Sequence, residues 1–232
     1  MPSPRSRASA PSLTREAIVA TALRLLETEG VEALSTRRVA AACGVAGPSL
    51  YWHFGGRGEL VDLVVDAALA DLDLPEPAGD WHAFFVHVAL RYRDVLRRRR
   101  GLAALLQGRF PLGPNGLAAI DQVLGALLEA GFTPTQALTA FRTVTQFVLG
   151  DVLDEEAAGS GDGASPTTSV WSSERAAAAA ATFGADPDRF PAVSALLPHI
   201  AGLDAATLFR DGLDAILDGF AAQLARTGPT GS

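Results

Sequence analysis

The chain has 232 residues, 48% of them apolar, enough to bury a substantial core in one large domain or two. Charges, Gly or Pro interrupt every apolar run before it reaches bilayer length, and a single cysteine, Cys43, excludes an intramolecular disulfide framework. The net charge of −7 argues at first against a nucleic-acid partner, but residues 1–58 carry seven arginines against four glutamates, a net +3, which leaves −10 for the remainder. A small basic head on an acidic body that repels phosphate fits that asymmetry.

Residues 1–12 are basic and rich in Ser and Pro, with no apolar stretch behind them. They read as a disordered arm and not a signal peptide, which points to a cytoplasmic protein. Thr14 to Glu29 predicts an amphipathic helix, with Ile18, Ala22, Leu25 and Leu26 inward, Thr14 as its cap and Gly30 as its stop. From Ser35 to Phe54 the pattern predicts two short helices around a tight turn. Ser35 can cap the first, Val39 and Ala40 face inward, Gly44 takes the turn and Val45 plugs it. Gly47 caps the second helix and Pro48 opens it, with Leu50 and Phe54 sharing its inner face. Ser49, Tyr51, Trp52 and His53 are left outside. Two readings fit: a helix-turn-helix whose second helix enters a DNA groove, or an αα-hairpin whose rings wedge against a neighbour. Arg37 and Arg38 likewise fit either phosphate contact or a solvated face. Cys43 stands where a small buried residue is expected, without a cationic setting that would make it reactive.

Arg57 to Asp73 predicts a longer helix with Leu60, Val64, Ala67, Ala68 and Leu72 inward, and residues 74–80 a linker with two prolines. Further helices are predicted at Trp81–Arg99, Leu102–Phe110, Gly116–Ala130, Thr135–Ala157, Ser173–Phe183 and Leu203–Ala225. Between them lie a Gly/Ser-rich mobile loop at 158–170 and a Pro-punctuated connection from Asp186 to Pro198, and a disordered tail begins at Arg226. The arginines at 97–100 suit the C-terminus of the Trp81 helix and its acidic neighbours. The helix at 135–157 is apolar over so wide an arc that it needs partners on several sides. No strand pattern and no internal repeat competes. No nucleophile elbow, P-loop or dinucleotide turn is present, and His82 and His87 are wrongly spaced for a metal. The chain is therefore expected to be no enzyme and to need no cofactor or metal. An all-α enzyme or scaffold without DNA binding is the alternative reading.

The residues from Leu13 to Leu69 resemble the DNA-binding domain of the TetR (tetracycline repressor) family. The resemblance is carried by Leu13-Thr14-Arg15-Glu16, Leu25-Leu26, Gly30, Leu34-Ser35-Thr36-Arg37, Val39-Ala40, Gly44-Val45, the string Pro48-Ser49-Leu50-Tyr51-Trp52-His53-Phe54, and Leu60. Gln146 to Asp154 resembles a segment of the regulatory domain of the family's tetracycline-repressor branch. The resemblance implies an all-α protein of nine to ten helices: a helix-turn-helix domain over 13–58, a connecting helix over 59–73, and a ligand-binding and dimerisation domain over 74–228. By position-to-position match, Thr36, Arg37, Arg38, Gly47, Pro48, Ser49, Tyr51, Trp52, His53 and Arg57 are the expected DNA-facing residues, with Arg37 reading guanine and Arg57 on phosphate. The implied function is that of a ligand-responsive regulator, a repressor that dimerises on a palindromic operator through 135–157 and 203–225 and is released by a small molecule. Val88, Tyr92, Leu105, Arg109, Phe110, Phe141 and Gln146 are the expected ligand-lining residues. Two departures matter. Gly47 stands where the tetracycline repressor has a Gln that can read a base, and Leu105 stands where that protein has the His that binds a drug–magnesium chelate. The implied ligand is therefore no magnesium chelate.

Overall fold

The computed structural model describes residues 13–158, 181, 188–200 and 204–227. The expected arm at 1–12, residues 159–170 of the expected loop and all but one residue of the expected helix Ser173–Phe183 lie outside them. Every regular element among the described residues is helical. In chain order these are α1 Arg15–Glu29, α2 Thr36–Ala42, α3 Gly47–Leu50, α4 Arg57–Leu69, α5 Trp81–Arg98, α6 Leu102–Leu106, α7 Pro114–Glu129, α8 Pro134–Ala158, α9 Pro191–Ile200 and α10 Ala205–Thr227. Single 3₁₀ turns follow α1, at Val31–Ala33, and α4, at Ala70–Leu72.

The chain forms two compact units. The first runs to Asp71 and includes Arg99–Gly116. Thr14 caps α1 by accepting from the Ala17 N–H at 3.2 Å, and Gly30 ends it with φ +82°. The expected stripe of Ile18, Ala22, Leu25 and Leu26 is buried, α1 packs on α4, and Leu60, Val61, Val64, Val65 and Ala68 of α4 are buried as well. Ala67 is only half-buried, and α4 ends at Leu69, short of the expected Asp73. α6 is also shorter than expected. Gly108, with φ +72°, and Pro111 stop it before Phe110.

One carboxylate shapes the rest of this unit. Asp66 on α4 is buried, and it accepts from the Gly116 N–H at 2.9 Å and from Asn115 Nδ2 at 3.0 Å. It thereby occupies the first turn of α7, where free N–H groups and the helix dipole favour an anion. A Cβ at Gly113 would lie 2.2 Å from the Asp66 carboxyl carbon, so only glycine fits there.

The second unit comprises Leu72–Arg98 and the chain from Leu117 on. Here α5, α8 and α10 pack on one another. Thr133 and Gln136 start α8 with a reciprocal cap: the Gln136 side chain accepts from the Thr133 N–H at 2.9 Å, and Thr133 Oγ1 accepts from the Gln136 N–H at 3.4 Å. Phe147 of α8 stacks on Phe209 of α10 at 5.3 Å, and a Cβ at Gly212 would lie 2.8 Å from the Phe147 ring, so the glycine is what lets the two helices close. Two expectations fail in this unit. Asp186–Pro198 is not all connection, because Pro191 opens α9; a proline lacks only an N–H that the first turn leaves unpaired anyway. Arg226 and Thr227 form the last turn of α10 and not the start of a tail.

No helix is long and apolar enough to cross a membrane among the described residues.

Candidate nucleic-acid interface

Local chemistry builds the reading surface. Ser35 Oγ accepts from the Arg38 N–H at 3.2 Å and fixes the start of α2. Gly44 turns the chain with φ +69°, and the Val45 N–H returns to the Ala40 carbonyl at 3.0 Å. Val45 is half-buried and not the full plug expected of it. The second helix differs from expectation as well. Gly47 is its first residue, Ala46 precedes it without a side-chain cap, and the α-helical stretch stops at Leu50. The turn continues through hydrogen bonds from the His53 N–H and the Phe54 N–H to the Leu50 carbonyl, at 2.9 and 3.3 Å. Leu50 and Phe54 are buried, as their spacing predicts.

What this leaves outside is chemically distinctive. Trp52 is 89% exposed and Tyr51 55%, on a segment otherwise well packed. Large rings held in water by a rigid backbone are a signature of a surface awaiting a partner. The Tyr51 hydroxyl lies 3.4 Å from Thr36 Oγ1, tying the end of the second helix to the start of the first. Thr36, Arg37, Ala40, Ala41, Val45, Gly47, Pro48 and Tyr51 line a hollow of about 360 Å³ between the two helices. Gly47 offers only backbone there, with open space where its Cβ would be. Ser49 and His53 are half-buried beside this edge.

The arginines divide. Arg38 Nε donates to Glu29 Oε2 at 2.9 Å and its Nη2 to the other carboxylate oxygen, a bidentate pair. That hydrogen bonding holds the Glu29 carboxyl below the ordinary range and pushes the Arg38 guanidinium up. Arg57 Nε donates to the Leu34 carbonyl at 3.2 Å. Arg15 pairs with Glu59. Arg37 is exposed, and among the described residues of this unit it makes no ion pair or side-chain hydrogen bond. The structure thus separates two neighbours that the sequence left alike.

The ligand-lining candidates fall in both units. Leu105, Arg109 and Phe110 belong to the first. Leu105 is buried, Phe110 is exposed, and Arg109 Nη1 pairs with Asp62 Oδ1 at 2.6 Å. Val88, Tyr92, Phe141 and Gln146 belong to the second. Val88 is buried, Tyr92 and Phe141 are half-buried, and Gln146 is exposed. Burial pushes the Tyr92 hydroxyl well above the ordinary tyrosine range. Sequence reasoning missed the burial of Asp66, Arg93 and Arg99, since periodicity marks the apolar members of a stripe and gives only a faint sign of a charge placed within one. No three metal-ligating side chains cluster among the described residues.

A short helix capped by Ser35, a glycine turn and a second helix that presents rings to solvent define a helix-turn-helix protein with a separate helical unit. Comparison with known proteins agrees. A family model described as "Bacterial regulatory proteins, tetR family" matches residues 18–64, and one described as "Tetracyclin repressor-like, C-terminal domain" matches residues 74–224. The class G tetracycline repressor protein of Vibrio anguillarum is 33% identical over 211 residues, covering 90% of this chain and 93% of that one. The crystal structure of apo ActR from Streptomyces coelicolor superposes with a TM-score of 0.83 at 30% identity, covering 95% of this chain and all of that one. ActR in complex with actinorhodin superposes at 0.81, with 31% identity over 93% of this chain and 99% of that one. The chain belongs to the TetR family of bacterial transcriptional regulators, near its tetracycline-repressor branch. It is a ligand-responsive DNA-binding repressor.

Proposed function

We propose that residues 13–58 read operator DNA, that 59–73 connect, and that 74–228 sense a small molecule and pair two copies of the chain. The observation that carries this reading is the free, exposed Arg37 beside exposed Tyr51 and Trp52, all on a backbone fixed by Ser35, Gly44 and Leu50. A head of this size makes few contacts, so one copy binds weakly; two on a two-fold axis read half-sites roughly 34–36 Å apart. Arg37 is placed on a guanine edge, Thr36, Gly47, Pro48, Ser49, Tyr51, Trp52 and His53 along the groove, and Arg38 and Arg57 on phosphate. Selecting bound duplexes from a random pool, then footprinting them at rising salt, tests this; a two-fold protected site is expected. A regulator acting in the cytoplasm, without catalysis, completes the reading.

Pairing is assigned to α8 and α10. Leu138 on α8 is 56% exposed, and Ala215, Gly219 and Ala222 share an exposed strip of α10 whose small side chains let a second helix approach closely. Open space surrounds the Cβ position of Gly219, so a large side chain fits the single chain and obstructs only a partner. Gly219→Arg is expected to keep its helicity by circular dichroism, elute at the monomer mass in light scattering, and lose operator affinity.

The effector is a small organic molecule, in keeping with the actinorhodin bound to ActR. It is not a magnesium–tetracycline chelate, because Leu105 supplies no imidazole and is itself buried. Calorimetric titration with tetracycline and magnesium is expected to show no saturable heat.

A further inference from the structure

We propose that Glu59 is a positioning residue for operator reading: it fixes the end of the segment that carries Tyr51, Trp52 and His53. The inference rests on the reading that this segment faces the operator. An acid in a phosphate-binding head is unfavourable by charge alone, so its presence needs a compensating contact. The structure supplies one. Glu59 Oε2 accepts from the Gly55 N–H at 2.7 Å, and Glu59 Oε1 takes the Arg15 guanidinium. Each carboxylate oxygen has one partner, so Arg15 on α1 orients the group and leaves the other oxygen to the backbone. That backbone hydrogen bond is the largest cause of the lowered Glu59 pKa.

The place it grips matters. Gly55 and Gly56 follow the reading segment directly, and two adjacent glycines are the least restrained backbone a chain can have. Gly56 adopts φ +154°, a conformation that side chains rarely allow. Without this anchor the segment ending at Phe54 is held by its buried Leu50 and Phe54 and by the long Tyr51–Thr36 hydroxyl contact of 3.4 Å, and its exposed rings are freer to tilt. Glu59, in the first turn of α4, converts the glycine pair into a fixed joint between the reading segment, α4 and α1.

The charge and positioning roles predict opposite results. If Glu59 acts only as a negative charge, Glu59→Ala strengthens binding to every duplex. If it positions, Glu59→Ala weakens binding to a duplex selected by the wild-type protein by about tenfold, the scale of one charge-assisted hydrogen bond, while affinity for a scrambled duplex holds or rises. Glu59→Gln keeps an acceptor for Gly55 and is expected to recover most of the lost discrimination. Amide exchange of the full-length wild-type protein supplies a second readout: the Gly55 N–H is slow, and in Glu59→Gln it stays slower than in Glu59→Ala. Trp52→Ala is run alongside. If it leaves selective binding intact, the reading of the segment itself fails. If it abolishes selectivity while Glu59→Ala matches or exceeds the wild type on the selected duplex, the positioning role is overturned. Free exchange of Gly55 in the wild type overturns it too, whether or not Glu59→Ala folds.

Discussion

Arg37→Ala is expected to abolish most sequence-specific binding while leaving the fold intact. The side chain is exposed, it is the second residue of a helix whose start Ser35 fixes, and among the described residues it has no ion pair to lose. A guanidinium that reads guanine through N7 and O6 contributes about 1–3 kcal/mol of discrimination, roughly fivefold to 150-fold per half-site. On a two-fold site both halves are lost together. Electrophoretic shift on a selected palindrome measures this, with a scrambled duplex beside it; generic binding is expected to fall only by the loss of one cation per head. Unchanged selective binding removes Arg37 from the interface. Arg38→Ala makes the contrast. Arg38 already spends its fork on Glu29, so its removal also uncovers a carboxylate, and binding to both duplexes should weaken together.

That difference between neighbours marks where the sequence stops being legible. The turn can be read from local chemistry, because Ser35, Gly44, Leu50 and Phe54 each answer a requirement of the backbone within a few residues. Thr14 and Gly30 delimit α1 for the same reason. The fate of Arg38 depends on Glu29, which lies on another helix, and nothing in the local pattern selects Arg38 over Arg37 for that partner. The extent of α6, and the presence of α9 where a connection is expected, escape the local pattern because Gly and Pro can act either way: Gly108 stops a helix, whereas Pro191 starts one. The expected ligand-lining set is the least legible part, since its apolar members satisfy a core as well as they line a pocket. The buried charges left a fainter trace. Arg93 continues the line of Phe85 and Ala89 along the inward face of α5, and a charge on such a stripe must have a partner waiting.

Arg93→Ala is accordingly expected to cause the largest loss of stability among single substitutions of charged residues in the second unit. The side chain of Arg93 is only 10% exposed; its Nε donates to Asp151 Oδ2 at 2.6 Å and its Nη2 to Glu155 Oε1. Its guanidinium lies 4.3 Å from the centre of the Phe209 ring, so one cation joins α5, α8 and α10. Arg97 Nε takes the other Glu155 oxygen at 2.9 Å, but it is half-exposed and cannot replace Arg93 at Asp151. Removing Arg93 strands Asp151, whose side chain is only 22% exposed, and leaves Glu155, 17% exposed, with Arg97 as its one remaining partner. Breaking a fully buried pair costs about 3–5 kcal/mol, and the remaining access to water places this site near 3 kcal/mol. Spread over a chain of this size, that lowers the thermal midpoint by roughly 6–12 °C. The decisive comparison adds Asp151→Asn to Arg93→Ala. If stranded charge is the cause, the double variant melts above the single one, although it carries one more substitution. A single variant within about 1 kcal/mol of the wild type would place the cluster among surface ion pairs and leave α5, α8 and α10 held by apolar packing alone.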